Sequence, residues 1–140
     1  MNAIILGLLL FSADPAPACP IRATVESIHD ADTMVLTIHL PFKVDLPKRS
    51  IRAVGYDAWE VSKVRQTVKI TDAELVKGKL ARDELGKLIA SGALYVEEVP
   101  QSDPYGRTNA RLWILKGNVT PTWIDVAQWM ADNGHVRGER

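Results

Sequence analysis

IRAVGYDAWE, Ile51 to Glu60, is the stretch from which the rest of the chain is read. Ile51 to Val54 reads as a strand in which Ile51 and Ala53 face one way and Arg52 and Val54 the other. Gly55 breaks the run, and Asp57 and Glu60 follow it closely. An arginine on a strand, with two carboxylates just past its end, sets one positive charge near two negative ones on a rigid support. That layout suits a place where a metal ion and a phosphate meet. The plainer reading is a surface pair of Arg52 with Glu60, worth only about 0–1 kcal/mol.

Upstream, Ile21 to Ile28 alternates, with Ile21, Ala23, Val25 and Ser27 on one face, and reads as a strand. Met34 to Leu40 is a second strand, and His29 to Thr33 is the polar turn between them. Asp30 reads as a turn cap. Pro41 to Lys48, with two prolines, reads as a loop, and Arg49 to Val54 as the third strand. Downstream, Ala58 to Ile70 carries Lys63, Arg65 and Lys69 and reads as an exposed basic loop. Thr71-Asp72-Ala73-Glu74 is a capping box that opens a helix to about Ala90. Leu75, Leu80, Ala81, Leu85, Leu88 and Ile89 recur at helical spacing along it. Gly78 and Gly86 each weaken it by ~1 kcal/mol relative to Ala, which predicts close packing there.

Ala93 to Val99 is a fourth strand and Asn109 to Leu115 a fifth, joined through a turn at Asp103-Pro104-Tyr105-Gly106. Thr122 is placed to cap a short helix that Asn133-Gly134 stops, and His135 to Arg140 reads as a basic tail. The fold class that follows is α+β: a five-stranded OB-type β-barrel, a long helix between strands 3 and 4, and a short C-terminal helix.

The chain has 140 residues, enough for one domain. Basic and acidic residues balance at 17 each, so overall charge does not mark a nucleic-acid binder, and any basic track is local. One cysteine, Cys19, excludes an intramolecular disulfide and a thiolate zinc site. Ala3 to Phe11 is an apolar run too short to span a bilayer, and Ala16-Pro17-Ala18 is an A-x-A pattern before Cys19. The expectation is a signal peptide over residues 1–18, a domain over 19–140, and a secreted or periplasmic product, or a cytoplasmic one if that segment is no signal.

Three motifs stand in order: Asp30-Ala31-Asp32-Thr33, then Arg52 with Asp57-Ala58-Trp59-Glu60, then Asp103-Pro104-Tyr105-Gly106-Arg107. Together they resemble the staphylococcal nuclease-like (thermonuclease) family, from about Ala23 to Val136. The resemblance implies a Ca²⁺-dependent nuclease that hydrolyses phosphodiester bonds of DNA and RNA. It implies one Ca²⁺ held by Asp32, Asp57 and the backbone carbonyl of Ala58. Arg52 and Arg107 would be phosphate-binding catalytic residues, and Glu60 the group that handles the attacking water. Tyr105 and Thr33 would touch substrate, with single strands preferred. It further implies a monomer with no stable membrane association after processing. The alternative is a non-catalytic nucleic-acid-binding OB-fold module. Two departures from the family carry structural expectations. Ala31 stands where the family has glycine and would be strained at positive φ. Ala58-Trp59 stands where a proline is usual before the glutamate, which predicts a looser loop.

Overall fold

The computed structural model describes residues 15–62 and 69–138. Lys63 and Arg65 of the expected basic loop, and residues 1–14 of the expected signal peptide, lie outside them. The elements are β1 (Ile21–Asp30), β2 (Thr33–Leu40), β3 (Val44–Ala53), α1 (Asp72–Ala90), β4 (Ala93–Ser102), β5 (Thr108–Lys116), β6 (Thr122–Asp125) and α2 (Val126–Asp132). The strand order is β3-β2-β1-β4-β5-β6, and β3 also pairs in parallel with β5. That last pairing closes β1 to β5 into a barrel. Among the described residues no helix is long and apolar enough to cross a membrane.

Inward-facing residues fill the barrel: Met34 and Leu36 from β2, Ile51 and Ala53 from β3, Leu94 and Val96 from β4, Leu112 and Ile114 from β5. Strand alternation accounts for most of these positions. In β1 the register shifts between Val25 and Ser27, where an extra residue enters the strand. A bulge moves every later side chain to the opposite face. Ile28 therefore packs on the core; a second register shift follows between Ile28 and Asp30, and Asp30 is buried at the end of the strand.

The expected loop from Pro41 to Lys48 is mostly strand. Pro41–Lys43 forms a single 3₁₀ turn, and β3 begins at Val44. Pro47 escapes the usual bar on proline in a sheet because the β2–β3 register shifts beside it, and Lys48 takes a left-handed φ of 53°. Nor does Thr122 cap the last helix. Residues 122–125 pair with β5 as β6, and the Asp125 carboxylate accepts the Ala127 N–H at 3.0 Å. The tail is also more than a tail. Val136 bridges Ala58, and the Arg137 N–H donates to the Asp57 carbonyl at 2.8 Å.

The α1 capping box forms as expected, with both reciprocal bonds made. Its buried stripe is Gly78, Ala81, Leu85 and Leu88; Leu80 turns outward and is half exposed. Gly78 packs against the loop after β3 rather than against the sheet. A Cβ on Gly78 would lie 2.1 Å from the Glu60 carbonyl oxygen. At Gly86 the nearest atom, Ile28 Cδ1, would be 3.9 Å away.

The two helix glycines therefore respond oppositely to the same change. Gly86→Ala is expected to stabilise by about 0.5–1 kcal/mol through helix propensity. Gly78→Ala is expected to destabilise by about 2 kcal/mol through overpacking against main chain. Urea unfolding of the two variants reads both signs, and equal stabilisation would refute the packing at Gly78.

Candidate functional site

The β1–β2 turn brings two carboxylates inside the protein. Asp30 pairs with Thr33 across it, and both Asp30 and Asp32 are buried. Asp30 acts as the turn cap, its Oδ1 accepting the Asp32 N–H at 3.2 Å. Ala31 is not at positive φ, and its methyl is fully buried, so alanine fits without strain. The end of β3 is stitched to this turn, as the Ala53 N–H donates to the Asp32 carbonyl at 2.8 Å. Register sets Thr33 beside Arg52 and Arg52 beside Asn109, abreast across β2, β3 and β5.

Asp32 is where the separate motifs meet. Its Oδ1 takes the Thr33 hydroxyl at 3.1 Å and Arg52 Nη1 at 2.8 Å. Its Oδ2 takes the Ala58 N–H at 2.8 Å. Arg52 Nη2 also reaches Asp57 Oδ1 at 2.7 Å. Arg52 thus bridges a buried carboxylate and an exposed one, and its partner is not the Glu60 of the simplest reading. Burial, then the neighbouring Asp30, pushes Asp32 above the ordinary carboxylate range, against the pull of the Ala58 N–H and Arg52. Tyr56, missed in the sequence, donates its hydroxyl to the Ala31 carbonyl. Burial first, then the charges of Asp32 and Asp30, raise its phenol far above its usual value, so it stays a donor.

Arg107 arrives from the β4–β5 turn. Asp103 does more than serve that turn. Its carboxylate takes Arg107 Nη2 at 2.8 Å and Nε at 3.1 Å, and also accepts the Tyr105 and Arg107 N–H groups. Arg107 Nη1 then reaches the Thr33 hydroxyl at 3.0 Å. One guanidinium edge is fixed on Asp103, while the Nη1/Nη2 edge keeps further N–H groups to give. Tyr105 is 84% exposed, and the Arg107 guanidinium lies 5.4 Å from its ring centre.

An open cleft of about 580 Å³ adjoins these groups, walled by Arg52, Tyr56, Asp57, Asp103, Asn109 and Arg137. Asp32, Glu60 and Arg107 are not among the residues that wall it. Glu60 is half-buried, with its carbonyl against Gly78 of α1. Trp59 lies under the Lys77 ammonium, 4.8 Å from its ring centre. Asn109 and Arg137 gave no signal in the sequence, since neither belongs to a motif. Asp103 and Arg107 could have been paired from their opposite charges four residues apart across a tight turn.

Among the described residues no three His, Cys, Asp or Glu side chains form a group that would hold a metal alone. Asp32 and Asp57 carry the carboxylate oxygens a hard cation takes, and both are bonded to Arg52; at Ala58 it is the N–H that meets Asp32. Asp30 is buried beside Asp32. Comparison with protein-family models and with curated proteins finds no match to this chain.

Arg52→Ala is expected to cost about 3 kcal/mol of stability, because it leaves the buried Asp32 carboxylate without its cation. Asp57→Ala, at a side chain 72% exposed, is expected to cost under about 1 kcal/mol. Urea unfolding at pH 7 reads the asymmetry, and equal losses would argue against it. A second expectation concerns acid. Arg107, helped by the Arg107 and Tyr105 N–H groups, holds Asp103 down to about 2. A depressed carboxylate stabilises fully above its unfolded value of 3.8 and loses that stabilisation as pH falls toward about 2. The stability gap between wild type and Asp103→Asn should therefore narrow below about pH 4. A gap unchanged down to pH 3 would count against the pairing.

Proposed function

We propose that this chain is a divalent-cation-dependent nuclease of the staphylococcal nuclease-like family, acting on DNA and RNA. The observation that carries the reading is the meeting of Asp32, Arg52 and Asp57, from two motifs, with Arg107 of the third bonded to Thr33 beside them. The barrel, closed through β3 and β5 with α1 following β3 in the chain, is consistent with an OB-type fold.

Asp32, Asp57 and the Ala58 carbonyl would hold the cation, Ca²⁺ by donor chemistry. A bound cation lowers the pKa of a water and polarises the phosphodiester. The chain's own groups do the rest. Arg52 and the free edge of Arg107 take the scissile phosphate as planar forks and stabilise charge on its equatorial oxygens. Thr33 and Asp103 keep Arg107 aimed. Glu60 takes the proton of the attacking water. Displacement is in line, with the bond to the 5′ oxygen broken and a 3′-phosphate left. Tyr105 offers an exposed ring for a nucleotide of a single strand. The enzyme would act as an exported monomer once residues 1–18 are removed.

A second reading, a non-catalytic nucleic-acid-binding module, draws on one observation: Asp32 and Asp57 are both already ion-paired with Arg52. Release of acid-soluble nucleotides from single-stranded DNA separates the two. Calcium-dependent release abolished by chelator is expected; salt-dependent binding without release would favour the module. Glu60→Ala and Arg107→Ala are each expected to lower the rate by the equivalent of about 3–4 kcal/mol of barrier with the fold kept. Wild-type turnover in either would mean that the roles are misassigned.

A further inference from the structure

The segment after α2 carries a cation into the cleft that none of the three motifs accounts for. His135 N–H donates to the Met130 carbonyl at 2.9 Å, Val136 bridges Ala58, and Arg137 N–H donates to the Asp57 carbonyl at 2.8 Å. The main chain of Arg137 is therefore fixed against the residues that carry the acidic cluster. Val136 packs on the core, and neighbouring side chains of an extended segment point opposite ways, so Arg137 heads away from the core. It lines the cleft together with Arg52. Arg52 is held by Asp32 and Asp57, and Arg107 by Asp103. Among the described residues the Arg137 guanidinium has no hydrogen-bond or ion-pair partner; its main-chain N–H is the group that bonds Asp57.

We propose that Arg137 is a phosphate-binding residue for the strand that occupies this cleft, engaging a backbone phosphate next to the one Arg52 receives. The assignment rests on the nucleic-acid reading above. A guanidinium anchored at its main chain and open at its side chain suits a polyanion that runs along a wall. The cleft offers it a nearby partner site, where Arg52 supplies a second fork. Asp57, whose carbonyl holds the Arg137 main chain, ties the position of this phosphate contact to that of the catalytic cluster. An adjacent phosphate gripped there fixes the register of the strand relative to Arg52.

The test uses the full chain with calcium and a labelled single-stranded phosphorothioate oligonucleotide, which keeps the backbone charge and resists hydrolysis. Anisotropy gives affinity as a function of salt. Loss of one phosphate contact flattens the slope of log affinity against log salt by about 0.7 for a single strand. Arg137→Ala and Arg137→Gln are each expected to show that flattening and roughly tenfold weaker binding at low salt, alike for all sequences. Arg137→Lys keeps the charge and should keep the slope, with weaker binding from the lost fork. Lys116→Ala, at the far end of β5, serves as the remote control and should match wild type. Wild-type slope and affinity in both Arg137→Ala and Arg137→Gln would overturn the assignment alone. Absence of salt-dependent binding by the wild type would overturn the nucleic-acid reading, and this assignment with it.

Discussion

A buried carboxylate needs donors, and the donors of Asp32 organise this end of the barrel. An ionised group that leaves water is costly unless its oxygens are bonded. Asp32 meets that need from three places in the chain: the Thr33 hydroxyl beside it, the Arg52 guanidinium of β3, and the Ala58 N–H beyond β3. Each bond fixes something other than Asp32. The first orients Thr33, on which Arg107 rests. The second holds the guanidinium across the end of the sheet. The third draws the segment after Gly55 back over the turn.

That segment is then held from several sides. The Tyr56 hydroxyl ties it to Ala31, and Arg137 and Val136 pair with it. Gly55, at φ 95°, lies so close to α2 that a Cβ there would sit 2.9 Å from the Ala127 Cβ. Gly78 of α1 closes on Glu60 from another direction. A looser loop was the expectation from Trp59 in place of proline. Contacts do the work of the missing ring: the indole lies under Lys77, and the Trp59 and Glu60 backbones abut a helix with no side chain at that point. Functional side chains keep their aim when packing rather than loop stiffness holds their backbone.

Much of this was legible in the sequence because it depended on local chemistry. Strand alternation set Ile51 and Ala53 of β3 on one face, the face that is buried, and the Thr71 capping box set the start of α1. Polar turns located Asp30, Asp32 and Asp103. What escaped was non-local. One bulge in β1 turns Ile28 to the core and a second register shift precedes Asp30, and alternation alone could not register the extra residues. Pro47 looked like a loop residue because its tolerance depends on a register shift against β2. Asp125 rather than Thr122 caps α2 because residues 122–125 have a partner in β5. Arg137 looked like part of a basic tail because nothing within a few residues of it reveals the bridge to Ala58, nearly eighty residues away in sequence.

The doubled role of Arg52 has a consequence for how such a site would engage a nucleic acid. Asp32 and Asp57 both pair with Arg52, and Asp30 is buried beside Asp32, so an approaching phosphate would meet carboxylates along with the cation. Arg107 does little to correct this, because Asp103 already neutralises it. Close like charges with little water between them repel strongly. A phosphate can therefore settle against Arg52 only if further positive charge arrives with it. Arg137 is one source, already fixed at the cleft, but a single cation leaves the acidic cluster incompletely balanced. On the proposed function a divalent ion on the oxygens of Asp32 and Asp57 would be the other, favouring the charged form of Asp32 that burial opposes. Substrate and cation would then favour each other's binding, each compensating charge that opposes the other. On the proposed function, phosphate binding at Arg52 would be conditional on the ion.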